Sequence, residues 1–325
     1  MRTETMSGKQ RTLKAIRHEE ADRVPLNIWM FRDDVRGQVV AKYGSLERFY
    51  EALRIDVFMA ITPPPSRHNP DFLEQKMTLS LEELSASDLR DPDDPALYEE
   101  VKGLVDRYGA DKCVLAHTWG VLEGAYSFMG VEETLAQLAL WPPKLQWLFE
   151  TLSGWSARIA QNVVDLGIDV LHISSDVGAN NTMILSRRTW RDRIVPYDSR
   201  IIAPGLRRGL PISLHSCGYV KPVIGDLLDL GIDVIHPLQQ SAGMNLAEVK
   251  RAWGGRLTIH GGLELRYYLS RAPEEELAAH VRDNMLACKP GGGFIFNTEH
   301  TVQPDTTLER VELAYRTALE HSWYG

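Results

Sequence analysis

The sequence predicts an α/β protein that forms a single (β/α)8 barrel (TIM barrel) over residues 1–325, with an N-terminal helix and an insertion after the second strand. Three observations support this prediction: eight short apolar runs suited to buried strands, amphipathic helical patterns between most of them, and an internal repeat spaced by a multiple of one βα unit. An open, doubly wound parallel sheet is the alternative.

The internal repeat is the hexapeptide Asp-Leu-Gly-Ile-Asp-Val, which stands at residues 165–170 and again at residues 229–234. The offset of 64 residues corresponds to two βα units, because one unit takes about 30 residues. A looser copy at residues 53–57 precedes another apolar run. In each copy a glycine or a polar residue ends a helix, and β-branched residues begin a strand.

Eight runs of this kind are predicted to be the strands of the barrel. They lie at residues 24–29, 57–62, 113–118, 170–175, 212–216, 234–238, 257–260 and 294–297. Residues 8–17 predict an amphipathic helix that closes the lower end of the barrel. Residues 63–112 are too long for one helix and predict an insertion, folded as a hairpin or as an irregular cover.

The composition excludes several classes of protein. The chain has 325 residues, 44% of them hydrophobic, and its 36 Lys and Arg against 44 Asp and Glu give a net charge of −8 without a basic block for nucleic acid. Its three cysteines are too few and too scattered for a disulfide framework, and residues 1–22 hold no apolar stretch suited to a signal peptide or membrane span. We therefore expect a cytoplasmic protein without nucleic-acid or membrane partners.

Polar side chains gather where the predicted strands end, which is where barrels of this kind form their active sites. Taken strand by strand they are Asn27 and Trp29, His117 and Trp119, Asp176, His215 and Cys217, Gln239, His260, and finally Glu299 and His300. We expect these side chains to share one rim of the barrel.

His215 and Cys217 form the most distinctive pattern in this set. Residues i and i+2 of a strand point the same way, with Cα atoms roughly 6.5 Å apart, so both side chains can bind one ion. Imidazole nitrogen and thiolate sulfur are preferred zinc ligands, and a catalytic zinc takes three protein ligands and keeps one position open. His300 is the candidate third ligand, because the eighth strand ends at the same rim. The alternative is a hydrogen-bonded core histidine beside a small buried cysteine.

Asp176 follows an apolar strand and precedes the turn-rich residues 177–181, which would hold its carboxylate at the rim. The residue can act as a base, as a partner of a metal ligand or as a substrate anchor. It can equally cap the loop without contacting a ligand.

Several stretches of the chain form a recognisable set. They are residues 11–17 with Asp22-Arg-Val-Pro25, residues 190–197, Leu214-His-Ser-Cys-Gly218, His260-Gly-Gly262, and residues 292–297 with Glu299-His-Thr-Val-Gln-Pro-Asp305. Together they resemble the uroporphyrinogen decarboxylase superfamily, which includes the decarboxylase of haem synthesis and zinc-dependent methyltransferases that work with corrinoid proteins. The resemblance spans nearly the whole chain and implies a (β/α)8 barrel.

Two features bear on the branch of this superfamily. True uroporphyrinogen decarboxylases carry an arginine-rich stretch after the first strand that holds the carboxylates of the substrate, whereas residues 27–33 here are Asn-Ile-Trp-Met-Phe-Arg-Asp and only Arg32 and Arg36 are nearby. The methyltransferase branch resembles this chain at His215 and Cys217, which match its first two zinc ligands.

The third zinc ligand of the methyltransferase branch is a cysteine, and the matching position here is His300. Histidine can ligate zinc, but the decarboxylase branch also has a histidine at this place, where it serves the substrate. Glu299 is an alternative oxygen ligand.

The resemblance implies a zinc-dependent methyltransferase that moves a methyl group between a corrinoid on a separate protein and a small thiol or oxygen substrate. His215, Cys217 and His300 would hold the zinc. The remaining candidates are residues that orient the substrate or take part in catalysis, namely Asp176, His117, Gln239 and His260, and residues that form the substrate pocket, namely Asn27, Trp29, Trp119 and Tyr126.

A metal-free decarboxylase or lyase that acts on a carboxylated small molecule is the alternative function. In that enzyme Asp176 or Asp33 would stabilise a developing cation, and His300 or His260 would transfer protons. A third hypothesis is a non-catalytic protein that binds a small molecule on the same barrel. The metal content separates the first function from the second, and turnover separates both from the third.

Overall fold

Residues 2–69 and 77–325 are described by a computed structural model of the chain. Within these residues seven parallel strands form one sheet, in which each strand pairs with the next along the chain. The strands are β1 Val57–Ile61, β2 Cys113–Trp119, β3 Val170–Ser174, β4 Ile212–Ser216, β5 Val234–Pro237, β6 Thr258–Leu263 and β7 Phe294–Thr298. Strands in sequential order with helices between them make a TIM-barrel-like fold.

Helices precede β1, connect the strands and follow β7. They are α1 Gly8–Ile16, α2 Asp33–Tyr43, α3 Leu46–Ala52, α4 Glu99–Tyr108, α5 Val121–Leu140, α6 Pro143–Asp165, α7 Arg187–Arg193, α8 Val195–Arg208, α9 Ile224–Asp229, α10 Leu246–Trp253, α11 Glu274–Cys288 and α12 Leu308–Ser322. In the described part of the chain, none of them combines the length and the apolar character that crossing a lipid bilayer requires.

The first of the eight predicted strands is not a regular strand. Residues 24–29 make one parallel bridge, between Leu26 and Phe296 of β7, and the Leu26 carbonyl accepts a hydrogen bond from the Asp56 N–H. The Leu26 N–H donates to the carboxylate of Asp56 (2.9 Å) instead of to a backbone carbonyl, so the ladder toward β1 goes no further. The segment therefore lies between β7 and the start of β1 without extending the sheet.

The described parts of the predicted insertion form an irregular cover and not a hairpin. In its described parts, residues 63–69 and 77–112, a single antiparallel bridge joins Ser66 to Leu89, and the regular elements are two short 3-10 turns and α4. The alternating residues 77–81 form no strand, and the Leu79 N–H donates to the carbonyl of Phe128 in α5.

The predicted N-terminal helix closes the lower end of the barrel, as the sequence indicated. The Lys9 N–H of α1 donates to the carbonyl of Asp111, just before β2, and the Ala15 carbonyl accepts from the N–H of Gly293, just before β7. Above this helix the lower interior is a small apolar cluster of Ile16, Val57, Cys113, Leu115, Val170, Val234 and Ile295.

A buried ion network ties the N-terminal segment to β1. Asp56 is fully buried, and its two carboxylate oxygens accept from Arg11 Nη1 (2.5 Å) and Arg23 Nη1 (2.6 Å). Arg11 also donates to Asp22 through Nε (2.6 Å). Burial alone would raise the pKa of Asp22, but the hydrogen bond from Arg11 and two backbone N–H groups lower it to about 2.

We expect Asp56→Asn to destabilise the fold strongly, because it leaves two buried guanidinium groups without their shared counter-charge. Removing one partner of a buried ion pair costs about 3–5 kcal/mol. Urea unfolding of this variant beside Asp106→Asn provides the measurement. Asp106 pairs with the exposed Lys102 on α4, so its variant should lose no more than about 1 kcal/mol. Equal losses in the two variants would contradict the proposed importance of the network.

Candidate functional site

A cavity of about 400 Å³ opens at the carboxyl ends of the strands. Its lining residues come from the ends of β2, β3 and β4, from the first turn of α5 and from the segments that follow residues 24–29, β1 and β7. They are Trp29, Met30, Ile61, Thr62, Pro63, Pro64, His117, Trp119, Glu123, Ser174, Asp176, His215, His300 and Thr301. The cavity is thus located at the end of the barrel where the sequence predicted the site.

Three side chains with metal-binding atoms meet beside this cavity, and two of them, His215 and His300, line it. One ligand atom each from His215, Cys217 and His300 lies within 4.8 Å of the other two. His215 Nε2 is 3.4 Å from Cys217 Sγ, and the rings of His215 and His300 are 5.8 Å apart at 69°. The structure therefore brings together the three residues that the sequence selected as a ligand set. That they bind zinc remains a prediction.

The protonation states of these side chains suit a divalent cation. Burial lowers the pKa of His215 and of His300 to about 4, so both imidazoles are neutral at pH 7, which is the form that ligates metals. Burial, followed by the charges of Asp176 and Glu123, raises the pKa of the Cys217 thiol. A bound cation would reverse that effect and favour the thiolate. Without one, Cys217 is a poor nucleophile.

Asp176 connects the cavity to the turn that carries Cys217. Its Oδ1 accepts a hydrogen bond from the Cys217 N–H (2.7 Å) and lies 3.7 Å from His215 Nε2. Burial raises the pKa of Asp176, while the Cys217 N–H and His300 act in the opposite direction. The residue therefore supports a candidate metal ligand and also faces the cavity, so it does more than cap a loop.

Glu123 is a cavity-lining acid that the sequence analysis missed. Its Oε1 accepts hydrogen bonds from Ser174 Oγ (2.7 Å) and from the Asp176 N–H (2.8 Å). Burial, followed by the Asp176 carboxyl, raises the pKa of Glu123 well above its ordinary range, which favours the protonated form of this carboxyl. The available signal was an acid in the first turn of a helix, directly after a strand end and before the mostly apolar residues 124–131.

A third buried carboxyl supports the start of α5. Asp198 accepts from the Val121 N–H (3.0 Å) and from Ser175 Oγ (2.7 Å). Burial raises its pKa to about 6, against the effect of those two hydrogen bonds. Asp198 lies behind the cavity wall and holds Glu123 at the rim indirectly, through the first turn of the helix.

Five histidines from β2–β6 form what we call the histidine belt across the barrel interior: His117, His172, His215, His236 and His260. All five are buried. The indole of Trp29 lies among them and stacks on His236 with ring centroids 3.8 Å apart and planes 8° apart. The sequence analysis did not select His236, because its role depends on neighbouring strands and not on a local pattern.

The chain matches a protein family over most of its length. The model of the uroporphyrinogen decarboxylase (URO-D) family matches residues 49–321. This chain belongs to the URO-D family.

Curated relatives of this URO-D family member are distant. The uroporphyrinogen decarboxylase of Chlamydia pneumoniae is 23% identical over 181 residues, which cover 56% of this chain and 51% of the relative. That of Chlamydia caviae is 29% identical over 104 residues, which cover 32% and 29%. The match to the first relative thus spans about half of that protein's length.

Solved structures share the fold of this URO-D family member. A methyltransferase from Methanosarcina mazei superposes with a TM-score of 0.75 at 16% identity, covering 97% of this chain and 99% of that one. A B12-independent methionine synthase from Shewanella sp. W3-18-1 superposes with a TM-score of 0.55 at 12% identity, covering 92% and 93%. At these identities the likeness shows the fold.

The other predicted site residues of this family member divide by location. His117, Trp29, Trp119 and Asp176 line the cavity, as expected. The residues outside the described lining are Asn27, Tyr126, Gln239, His260, Asp33 and the alternative ligand Glu299.

Each residue outside the lining has a different position. His260 Nε2 bonds to Asn27 Oδ1 (3.0 Å) inside the barrel, below the cavity. Gln239 accepts from the Gly218 N–H (2.9 Å) and so holds the turn after Cys217. Tyr126 is buried in α5, and Asp33 is exposed at the first residue of α2.

Glu299 is buried, and its carboxyl is bonded to Gln240. Its Oε1 accepts from the backbone N–H (2.8 Å) and the side chain (3.2 Å) of Gln240. Burial raises its pKa to about 8. The three-residue cluster found within the described chain does not include it.

We expect Asp198→Asn to become more stable relative to the wild type as the pH rises. The unfolded carboxyl ionises near its ordinary pKa of 3.8, whereas the native one ionises near 6, so the wild type loses stability as the pH rises from about 4 to 7. Asparagine does not ionise, so the stability difference should shift toward the variant by up to about 3 kcal/mol. Urea unfolding at several pH values measures it, with Asp106→Asn as the exposed control. A difference that does not depend on pH would contradict the assignment.

Proposed function

We propose that this URO-D family member is a zinc-dependent methyltransferase that moves a methyl group between a corrinoid on a separate protein and a small thiol or oxygen substrate. The observation that carries the proposal is the donor set of His215, Cys217 and His300 beside the cavity. Two neutral imidazoles and one thiol place their ligand atoms within 4.8 Å of one another, and this is a combination typical of zinc sites that keep one position open.

The residues of the site would have different roles. His215, Cys217 and His300 would hold the ion, which when bound would lower the pKa of a substrate thiol or hydroxyl. Asp176 fixes the Cys217 backbone through its 2.7 Å hydrogen bond. Glu123 in its protonated form, which burial favours, would donate a hydrogen bond to a substrate oxygen or sulfur.

The cavity walls suit a small, weakly charged substrate. Trp29 and Trp119 provide apolar surface, and Trp119 Nε1 donates to the carbonyls of Thr62 (2.9 Å) and Pro63 (3.1 Å), which fixes its ring beside the insertion. The methyl group would come from a separate corrinoid protein, which would reach the substrate through the open upper end of the barrel. The relative from M. mazei is named as a methyltransferase, which agrees with the proposal.

A metal-free decarboxylase or lyase is the second candidate. The curated relatives are uroporphyrinogen decarboxylases, and the protonated Glu123 beside Asp176 could serve as an acid. The cavity composition favours the first candidate, because its described lining contains no Lys or Arg to bind several carboxylates. Of the two arginines near the first segment, Arg32 is exposed and Arg36 lines a different cavity, beside α2 and α4.

We expect the purified protein to contain about one zinc per chain. Cys217→Ala and His300→Ala should lose it, because each removes one of three ligands. Elemental analysis by mass spectrometry measures the content, and Cys288→Ala is the matched control, since Cys288 is a buried free cysteine at the end of α11. Absence of metal in the wild type, after purification without chelator and attempted reconstitution with zinc, would refute the proposal and favour the decarboxylase.

We also expect the zinc-loaded protein to demethylate methylcobalamin in the presence of a small thiol such as 2-mercaptoethanol. The chelated protein and Cys217→Ala should show only the background rate, because neither presents a thiolate to the methyl group. The absorbance change of the corrinoid gives the rate. Carbon dioxide release from uroporphyrinogen is measured in parallel, and release without demethylation would favour the alternative function.

A further inference from the structure

A chain of hydrogen bonds crosses the barrel interior from β7 to the candidate metal site. The Thr298 carbonyl of β7 is 3.1 Å from His236 Nε2, and His236 Nδ1 is 2.8 Å from His215 Nδ1. The other nitrogen of His215, Nε2, faces Cys217 Sγ at 3.4 Å. Two imidazole rings thus connect a backbone carbonyl to the ligand cluster.

The carbonyl at one end of this chain determines where each proton lies. A carbonyl oxygen only accepts, so His236 Nε2 must carry a hydrogen. A neutral ring has one N–H, so His236 Nδ1 is bare and accepts. His215 Nδ1 must therefore be the donor across the 2.8 Å contact, and the lone pair of His215 Nε2 is left free to face Cys217.

We propose that His236 is the positioning residue of the metal site, because it fixes His215 in the tautomer that presents Nε2 to the ion. This inference rests on the proposed zinc site and extends it to a residue outside the ligand set. Histidine ligands usually donate their second N–H to a carboxylate, a carbonyl or water, and this contact orients the ring. Here the acceptor of that second N–H is the neutral imidazole of His236.

The geometry of His236 is set by three independent contacts. The register of β4 and β5 places it directly beside His215. Its ring stacks on Trp29 at 3.8 Å, and its Nε2 is held by Thr298. His236 is fully buried, so water does not compete for the contact with His215. The tautomer of His215 is therefore set before any ion arrives.

The zinc affinity of three variants, measured in competition with a chromophoric chelator, provides the first test of the proposal. His236→Phe removes the acceptor and should weaken zinc binding about 10–100-fold, the usual effect of losing such a partner. His236→Asn keeps an acceptor oxygen near the Nδ1 position and should bind close to the wild type. His172→Phe is the matched control, because His172 is another buried belt histidine that bonds to Ser213 Oγ (2.8 Å) and not to His215.

A second readout needs neither zinc nor activity. Long-range proton–nitrogen correlation spectra of the metal-free protein, labelled with ¹⁵N in its histidines, report which ring nitrogen carries the proton. We expect His215 as the Nδ1–H tautomer and His236 as the Nε2–H tautomer, with His236→Asn used for assignment. This measurement decides the inference even if His236→Phe fails to fold.

The failures of the two proposals are distinguishable. A wild type that binds no zinc refutes the proposed function, and the spectra of the metal-free protein still decide the tautomers. A wild type that binds zinc, with His215 in the Nε2–H tautomer or with unchanged affinity in His236→Phe, overturns the role of His236 and leaves the proposed function standing.

Discussion

The carboxylate of Asp56 is the constraint on which the upper half of the barrel depends. It accepts from two buried arginines and from the Leu26 N–H, so it fixes residues 24–29 between β7 and β1. The same segment carries Trp29 into the interior, where its ring supports His236. An ion network at one end of the barrel thereby determines the packing of an aromatic residue at the other end, beside the candidate ligands.

Burial raises the pKa of the acids of the site and lowers the pKa of its histidines, so it favours the neutral form of both. Desolvation penalises the charged form of any group, so it keeps the belt histidines neutral and favours the protonated form of Glu123. Because these groups are neutral, the cavity carries little charge before a cation binds. A divalent ion would then favour the Cys217 thiolate, so binding of metal and ionisation of ligand are coupled.

The histidine belt places polar atoms in the barrel interior. Among the described protein atoms, none forms a hydrogen bond with His117 Nδ1, His172 Nε2 or His260 Nδ1, and a buried polar group costs about 1–3 kcal/mol wherever neither protein, water nor ligand satisfies it. An apolar layer would fill the same space more favourably, as the cluster at the lower end does. Conflicts of this kind between packing and polarity are typical of functional sites, and they concentrate here at the end of the barrel that holds the cavity.

The sequence by itself determined the order of the seven strands, the closing helix and the proximity of the side chains of His215, Cys217 and His300. Strand order and the closing helix follow from the local pattern. The proximity follows from two simple rules, because residues i and i+2 of a strand point the same way and all strands of a barrel end at one rim. Only the tertiary structure decided that residues 24–29 make a single bridge, since a side-chain carboxylate took the place of a ladder partner. It also decided the roles of Glu123 and His236. Periodicity shows which face of an element a side chain occupies. Which atom it bonds depends on the neighbouring elements.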